Sequence, residues 1–259
     1  MRRFLVDRIE EERGYCIVSG PEARHMIRVL RLAPGDRITL VDREGRRFEG
    51  AVHSKGPEGV RVDLIRPLPQ PPPSPVYITL CQAVLKSRAM DFVVQKACEL
   101  GVDRIIPVVT ERSVPKMDDR GRSRKVKRWR EIAAAAVKQS DRARPPVIEA
   151  PLSFQAVLGL EGETRDTLKV MLWERERRCD LKALFRGSGH MPSFTGLVGP
   201  EGGFSEREAA EAEAAGYTLV SLGRRILRAE TAGTVLVALA QYEWGDLHVP
   251  GTAVDRGSA

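Results

Sequence analysis

The first 67 residues alternate short apolar, β-branched stretches with turn-forming residues. Five stretches have the length and composition of β-strands, and turn signals such as Pro34-Gly35-Asp36 separate them. They are Phe4–Val6, Tyr15–Val18, Arg37–Val41, Phe48–His53 and Val60–Ile65. Between the second and the third, apolar residues recur at helical spacing from Pro21 to Leu32. The pattern predicts a small β-barrel that carries one short helix.

From residue 76 onward, strand patterns alternate with helix patterns, which is typical of an α/β domain with a parallel sheet. Three segments predict helices, namely Met90–Leu100, Lys125–Ser140 and Glu230–Tyr242. The last of these is apolar almost all round, so we expect it to be buried on most sides. The predicted strands are Val76–Cys81, Arg104–Val109, Lys169–Trp173, Thr195–Val198 and Thr218–Leu222.

A proline-rich segment separates the two patterns. Five of the eight residues from Leu68 to Pro75 are prolines, which favour a stiff, extended connection over a helix or a strand ladder. We therefore predict a small domain at 1–67, a linker at 68–75 and a larger domain at 76–245. The polar end of the chain, at 246–259, predicts a flexible tail.

Composition narrows the class of protein. The longest apolar runs, Ile132–Val137 and Val235–Ala240, are far shorter than the roughly 20 residues that a membrane span needs. The four cysteines stand singly, without a CxxC pair. This spacing argues against a disulfide scaffold and against a structural zinc site. We therefore expect a cytoplasmic protein without a membrane span or a bound metal.

Positive charge is concentrated in one segment. The chain carries 42 Lys and Arg against 35 Asp and Glu, a net charge of +7. Residues 112–130 alone hold nine basic and two acidic side chains, a surplus as large as that of the whole chain. Three further arginines, Arg24, Arg28 and Arg31, lie on one side of the predicted short helix. Such clusters indicate a polyanion partner, although a solvated basic face explains the charge equally well.

Two glycine-bearing loops follow predicted strands near the end of the chain. The first is Gly199-Pro200-Glu201-Gly202-Gly203-Phe204, after which Ser205 and Glu208 form a capping-box pattern for the next helix. The second runs from Gly223 to the start of the apolar helix at Glu230. Because open α/β sheets bind ligands at the carboxyl ends of their strands, the two loops predict a ligand site.

The loops do not match the common phosphate and dinucleotide motifs. No GxxxxGK[ST] pattern is present, and Gly187-Ser188-Gly189 lacks the third glycine of GxGxxG. Glu201 and Glu230 instead suit a ligand with positive character. Ordinary turns with capping glycines explain each loop taken singly. The residues alone therefore indicate only a ligand-binding α/β domain with a polyanion partner.

Two long motifs closely resemble the RsmE family, SPOUT-superfamily methyltransferases that modify N3 of one uridine in 16S ribosomal RNA. They are Gly199-Pro200-Glu201-Gly202-Gly203-Phe204-Ser205 and Leu222-Gly223-Arg224-Arg225-Ile226-Leu227-Arg228-Ala229-Glu230-Thr231-Ala232. Further similar segments are His25–Leu32 with Gly35-Asp36, Lys86–Met90, Gln95–Val102, Thr110–Ser113 and Gln139-Ser140 with Arg142. Lys138 and Ala229 depart from the family pattern, which has Glu and Thr there.

The resemblance implies an α/β fold, a SPOUT-type trefoil-knotted methyltransferase domain with a small N-terminal PUA-like β-barrel domain. It also implies S-adenosylmethionine as the cofactor and a homodimer formed through the knot region. The apolar helix would then be buried in the core and in the dimer interface. Ten residues would hold the cofactor: Leu172, Gly199, Glu201, Gly202, Gly203, Leu222, Gly223, Ile226, Leu227 and Thr231.

The implied reaction transfers a methyl group to N3 of uracil, which has to be unpaired and has to lose a proton. Arg228 is the candidate for stabilising charge on the uracil oxygens, since a guanidinium can hold a carbonyl and a phosphate. Glu230 is the second catalytic candidate, although a carboxylate in a helix's first turn also has a structural explanation. Ten basic residues would grip the RNA: Arg24, Arg28, Arg31, Lys86, Arg88, Arg112, Arg122, Arg124, Lys125 and Arg142.

Two other classes of function stay open at this point. One is a non-catalytic RNA-binding or ribosome-assembly protein on the same scaffold, and the intact glycine loops argue against it. The other is an unrelated nucleotide-dependent α/β enzyme, which would bind ATP or NAD rather than the methyl donor. The expected partner is 16S ribosomal RNA, either free or within the small ribosomal subunit.

Overall fold

A computed structural model describes residues 2–42, 44–70, 72–113, 119–140, 142, 144–162 and 164–247. Residues 114–118 of the basic segment, Pro71 of the linker and the predicted tail from residue 248 lie outside these ranges, as do the side chains of Ser87, Asp119, Arg120 and Lys138. The chain divides into two compact units. The first comprises the chain up to Pro72 together with Val137–Pro145, and the second comprises the rest.

A five-stranded sheet forms the first unit, and all five predicted strands are present. They are β1 (Arg2–Leu5), β2 (Tyr15–Val18), β3 (Arg37–Val41), β4 (Arg47–Gly56) and β5 (Gly59–Leu68), in the order β1-β3-β4-β5-β2. Only β1 and β3 pair in parallel among these neighbours. Alternate side chains such as Ile38, Leu40, Val60 and Val62 are fully buried, as expected for strands that cover a core on one face.

The predicted short helix of the first unit is confirmed, but it changes form midway. Helix α1 (Gly20–Arg24) continues as a π-helical turn over His25–Val29. Arg31, just beyond it, has a φ of 51°, a left-handed conformation that costs a residue with a side chain about 1–2 kcal/mol. Arg24, Arg28 and Arg31 are all exposed, as the spacing predicts.

Residues Val137–Pro145 group with the first unit, although the prediction assigns them to the larger domain. Arg144 donates from Nε to the backbone oxygen of Glu44 at 2.9 Å. Nearby, the buried Asp42 carboxylate accepts hydrogen bonds from the backbone N–H groups of Glu44 and Arg46 and from the Arg46 side chain. The sequence pattern does not indicate that a segment this far along the chain packs with the first unit.

The second unit alternates strands and helices as predicted. Its strands are β6 (Tyr77–Ala83), β7 (Arg104–Val109), β8 (Val147–Ile148), β9 (Leu152–Ser153), β10 (Thr167–Leu172), β11 (Ser193–Val198) and β12 (Thr218–Val220). Its helices are α2 (Ser87–Glu99), α3 (Asp119–Ser140), whose last residues belong to the first unit, α4 (Phe154–Leu158), α5 (Leu181–Ser188), α6 (Glu206–Ala214) and α7 (Ala229–Trp244). The short elements β8, β9, α4 and α5 have no counterpart in the prediction.

Every pairing in the second sheet is parallel, and the strand order is β12-β10-β11-β6-β7-β8, with β9 beside β7. The carboxyl ends of β12, β10, β11 and β6 therefore meet at one edge. The central strand β11 is buried along its whole length, so the sheet is covered on both faces. No helix in the described part of the chain is long and apolar enough to cross a membrane.

Helix α7 is buried on one side and exposed on another. Leu236, Val237 and Ala240 are fully buried against the sheet. By contrast, Leu239 is 38% exposed and Tyr242 is 70% exposed. The prediction that this helix is buried on most sides is confirmed, since only Thr231, Leu239 and Tyr242 are exposed between Glu230 and Tyr242, and these exposed positions have no cover within the described residues.

Candidate active site

One cavity opens at the edge where the four strand ends meet. Its volume is about 1420 Å³, and the loops after β10, β11 and β12 and the start of α2 form its walls. All ten predicted cofactor residues line it, together with Arg228, Glu230, Lys86 and Arg88. The structure thus brings together residues that are up to 145 positions apart in the sequence.

The loop Gly199–Ser205 is held closely by its surroundings. Gly203 has a φ of +67°, and a Cβ there would lie 2.8 Å from Oε1 of Glu174. Ser205 and Glu208 form the predicted capping box: the Ser205 hydroxyl accepts from the Glu208 N–H, and the Glu208 carboxylate accepts from the Ser205 N–H at 2.9 Å. The carboxylate of Glu208 is buried, so the box sits in a dry environment.

A buried glutamine fixes the start of the same loop. Gln82, at the end of β6, donates from Nε2 to the backbone oxygen of Gly199 at 3.3 Å. A Cβ at Gly233 of α7 would lie 2.4 Å from Oε1 of Gln82, so a larger residue there would require the Gln82 side chain to move. The amide side chain therefore joins β6 to the loop and packs against α7, although the sequence pattern gives Gln82 no role.

The loop from Ser221 to Arg228 is more open. Gly223 has a φ of +90° and would place a Cβ in empty space. Leu222 and Leu227 are half-buried, whereas Ile226 is 89% exposed. The cavity side of this loop therefore combines apolar side chains with backbone that a flat ligand can approach.

Arg228 and Glu230 lie together at the start of α7. Arg228 occupies the N-cap position with extended backbone, and its side chain is 86% exposed. Glu230 lies in the first turn, with a side chain that is 21% exposed, and its Oε1 is 4.0 Å from Nη1 of Arg228. A carboxylate is favoured at this end of a helix, while the arginine is free to reach toward the cavity mouth.

The loop after β10 is a wall that the sequence analysis missed. Glu176 is buried, and its carboxylate accepts hydrogen bonds from the backbone N–H groups of Arg177 and Arg178 and contacts the Arg178 side chain. These hydrogen bonds, above all that from the Arg178 backbone, lower the pKa of Glu176 to about 2. The indole Nε1 of Trp173, in the same wall, is buried and has no hydrogen-bond partner among the described residues.

Three carboxylates line the cavity beside seven Lys and Arg side chains, and among the three only Glu230 is half-buried. Glu174, Glu201 and Glu230 all line it. The Glu201 carboxylate also accepts from the backbone N–H of Lys86, at the start of α2, at 3.4 Å. Lys86 and Arg88 are exposed on the same wall. The carboxylates can therefore pair with a cationic group of a ligand, and the more numerous cations can contact an anionic partner.

The cations of the basic segment differ in their exposure and in where they lie relative to the cavity. Arg128 forms a bidentate pair with Asp91, and Arg130 donates to the backbone oxygen of Ile148. Arg112 donates to the backbone oxygen of Gly202. Arg122 and Arg124 of α3 are exposed and Lys125 is half-buried, and none of these three lines the cavity.

The remaining expected RNA ligands belong to the first unit. Arg24, Arg28 and Arg31 are exposed around the π-helical turn, and Arg142 is half-buried in the returning segment. Across the described residues, no group of three or more His, Cys, Asp and Glu side chains is arranged to hold a metal ion.

Comparison with known proteins gives consistent matches over most of the chain. The model of an RNA methyltransferase domain matches residues 72–241, and that of an RNA methyltransferase PUA domain matches residues 18–65. A ribosomal RNA small subunit methyltransferase E from Mycobacterium bovis is 31% identical over 90% of this chain and 88% of its own length. Its counterpart from Bacillus subtilis is 28% identical over 94% of this chain and 97% of its own length.

A solved structure shows the same fold. The crystal structure of a ribosomal RNA small subunit methyltransferase E from Neisseria gonorrhoeae, bound to S-adenosyl methionine, superposes with a TM-score of 0.82. It is 31% identical and covers 96% of this chain and 100% of its own. The predicted fold class, a SPOUT-type α/β domain with a small PUA-like domain, is confirmed. The chain therefore belongs to the RNA methyltransferase family that includes the ribosomal RNA small subunit methyltransferases E, the RsmE family.

Proposed function

We propose that this chain methylates N3 of one uridine in 16S ribosomal RNA, with S-adenosylmethionine as the methyl donor. The observation that carries the proposal is the single cavity at the carboxyl edge of the sheet, which holds all ten expected cofactor residues beside Arg228 and Glu230. Membership of the RNA methyltransferase family supports the reaction class.

The residues present fit this cofactor. Half-buried Leu172, Leu222 and Leu227 offer apolar surface for a flat ring. Backbone can approach at Gly203, whose missing side chain leaves room beside Glu174. The half-buried carboxylate of Glu230 and the exposed carboxylates of Glu174 and Glu201 can pair locally with a sulfonium or an ammonium group.

The chain's own residues have to orient uracil, stabilise the negative charge that develops on its oxygens and accept the N3 proton. Bound donor supplies an electrophilic methyl group, so catalysis by the protein consists of alignment and electrostatic stabilisation. Arg228, exposed at the mouth, can donate hydrogen bonds to a uracil oxygen as negative charge develops there. Glu230 lies 4.0 Å from that guanidinium and can accept the N3 proton directly or through water.

We propose a division of labour between the domains. Residues 1–67 bind RNA, 68–75 form the linker, 76–245 carry the reaction, and 246–259 form a flexible tail. The exposed arginines Arg24, Arg28 and Arg31 and the exposed cations of α3 support RNA binding through phosphate contacts. Because N3 takes part in base pairing, the target uridine has to be unpaired or splayed out of its stack.

We also propose a homodimer through the knot region and a cytoplasmic location, where ribosomal RNA is modified. The exposed apolar side chains of Leu239 and Tyr242 on α7, and of Phe92 on the adjacent α2, support the dimer. Light scattering of the purified chain should give twice the chain mass. Replacing Leu239 by Arg should shift that mass toward the monomer, whereas the same change at Ile65, an exposed residue of β5, should leave it unchanged.

The test of the proposed activity is methyl transfer from labelled S-adenosylmethionine to small ribosomal subunits or to 16S ribosomal RNA, followed by mapping of the modified base. We expect label at N3 of one uridine. Donor binding without transfer to either substrate would instead support a non-catalytic RNA-binding or assembly protein.

A further inference from the structure

The turn after β7 is fastened onto the cofactor loop. We define it as the clasp, residues Thr110–Ser113. The clasp is closed on itself, because the Thr110 N–H donates to the Ser113 hydroxyl at 3.0 Å and the Ser113 N–H donates to the Thr110 backbone oxygen at 3.1 Å. The two side-chain oxygens also lie 2.8 Å apart, within hydrogen-bond distance. The clasp is thus a defined structure rather than a random connection.

Glu111 attaches the clasp to the helix that follows the cofactor loop. Its backbone N–H donates to Oε1 of the buried Glu208 at 2.9 Å. Its carboxylate accepts from the Ser205 hydroxyl at 3.0 Å and from Arg207 at 3.4 Å. The hydrogen bond from Ser205, followed by that from Arg207, lowers the pKa of Glu111. The capping box of α6 therefore has a second partner outside its own helix.

Arg112 attaches the clasp to the loop itself. Its Nη1 donates to the backbone oxygen of Gly202 at 2.9 Å, and its Cβ and Cδ lie 3.5–3.6 Å from the position that a Gly202 Cβ would take. The guanidinium thus holds one backbone carbonyl in the middle of Gly199–Ser205. In a charge count, the same residue is simply the first cation of the basic segment.

We propose that Arg112 is a positioning residue for the cofactor loop rather than an RNA ligand. The clasp holds Gly202 through Arg112 and Ser205 through Glu111, and this fixes the backbone that faces the donor. The inference rests on the proposed function, because it takes Gly199–Ser205 as a wall of the cofactor cavity. Arg112 therefore supports binding of the methyl donor and does not contact RNA phosphate.

The test compares Arg112→Ala with the matched variant Arg124→Ala, an exposed arginine of α3. For Arg112→Ala we expect the dissociation constant for S-adenosylmethionine, measured by calorimetry, to rise about threefold to tenfold, as loss of one hydrogen bond implies. The KM for the donor should rise with it while kcat at saturating donor stays unchanged. The salt dependence of RNA binding should keep its slope.

Arg124→Ala should behave in the opposite way. Donor affinity should stay at the wild-type value, and the slope of log K against log salt for RNA should fall by about one. Arg112→Lys completes the comparison, since it keeps a positive charge that can contact phosphate but loses the guanidinium group. It also replaces Arg112→Ala in the test if that variant does not fold. The proposal expects weaker donor binding in Arg112→Lys too, with an unchanged RNA slope.

Other outcomes would overturn the proposal. Arg112 would be an RNA ligand, as its charge suggests, if the dissociation constant for the donor were unchanged in both Arg112 variants. The same would follow if the salt slope of RNA binding were lowered by about one in Arg112→Ala. Failure of the proposed function is a separate result, because the unmodified chain would then show no binding of S-adenosylmethionine at all.

Discussion

The walls of the cavity differ in how firmly the chain holds them. Gly199–Ser205 is anchored by Gln82, the clasp and the capping box, and the loop after β10 is anchored by the buried Glu176. The loop Ser221–Arg228 makes few such contacts and presents Ile226 and Arg228 to solvent. A ligand's rigid part is best held by preformed backbone, whereas a reacting substrate needs side chains that can reach it.

The comparison therefore separates binding from chemistry. We expect substitutions in the two anchored walls to change stability and donor affinity. We expect substitutions at the end of the open loop to change turnover. Four predictions follow this division, and the first has the largest expected effect.

Arg228→Ala should lower kcat about 100-fold or more, because a hydrogen-bond donor that stabilises the charge developing in the transition state contributes that much in other enzymes. The affinity for S-adenosylmethionine should stay unchanged, since the Arg228 side chain is mostly in solvent. Single-turnover methylation of small subunits measures the first quantity and calorimetry the second. Arg224→Ala, an exposed arginine on the same loop, is the control and should keep kcat. Equal turnover in wild type and Arg228→Ala would remove Arg228 from catalysis.

Ser205→Ala should lower the free energy of unfolding by about 1 kcal/mol, the usual value of an N-cap. Ser205 also donates to Glu111, so donor affinity should fall as well. Chemical denaturation and calorimetry measure the two effects. Glu213→Gln, at an exposed position of the same helix, is the control, and it should leave donor affinity unchanged and stability within about 0.5 kcal/mol of the wild type. Loss of stability without any loss of affinity would show that the capping box supports the helix alone.

Gly203→Ala and Gly223→Ala compare the anchored and the open loop directly. Both glycines have positive φ, so each substitution should cost about 1 kcal/mol from backbone strain. Only the Cβ at position 203 meets another group, Oε1 of Glu174 at 2.8 Å. Gly203→Ala should therefore destabilise only slightly more, by the small cost of moving the exposed Glu174 side chain, and adding Glu174→Ala should recover the difference. Equal unfolding free energies for the two single variants would contradict the crowding argument.

Glu176→Gln tests the loop after β10 through pH. Folding lowers the pKa of Glu176 from 4.5 to about 2, so the group contributes stability above pH 4.5 that is lost as the pH falls toward 2. The wild type should therefore lose stability more steeply in that range than Glu176→Gln does. Glu174→Gln, whose carboxylate accepts no hydrogen bond from any described residue, should keep the wild-type slope. Parallel curves for wild type and Glu176→Gln would show that the buried carboxylate does not anchor this wall.

Sequence patterns were sufficient where local chemistry decides the structure. Alternation and helical spacing predicted the five strands of the first unit, the parallel sheet and its long helices, and Ser205 with Glu208 predicted a capping box that is present. The glycine loops indicated where the cavity lies. These signals succeed because each depends on neighbouring residues and on the periodicity of a single element.

Contacts between distant residues left no such signal. Nothing local marks Gln82, which reaches a carbonyl 117 positions away. The sequence places Arg112 in the basic segment, because a charge count cannot distinguish a cation that is hydrogen-bonded within the protein from one that contacts a partner. The pattern of α7 does not show which of its faces is exposed, because an apolar helix gives the same pattern whether its own chain or a partner covers it. The roles of individual site residues stay predictions.

The most direct test of the account is a calorimetric titration of the intact chain with S-adenosylmethionine, ATP and NAD in turn. We predict saturable binding of S-adenosylmethionine at one site per chain and no binding of the two nucleotides. Binding of ATP or NAD, with none of the methyl donor, would contradict the assignment of the cavity.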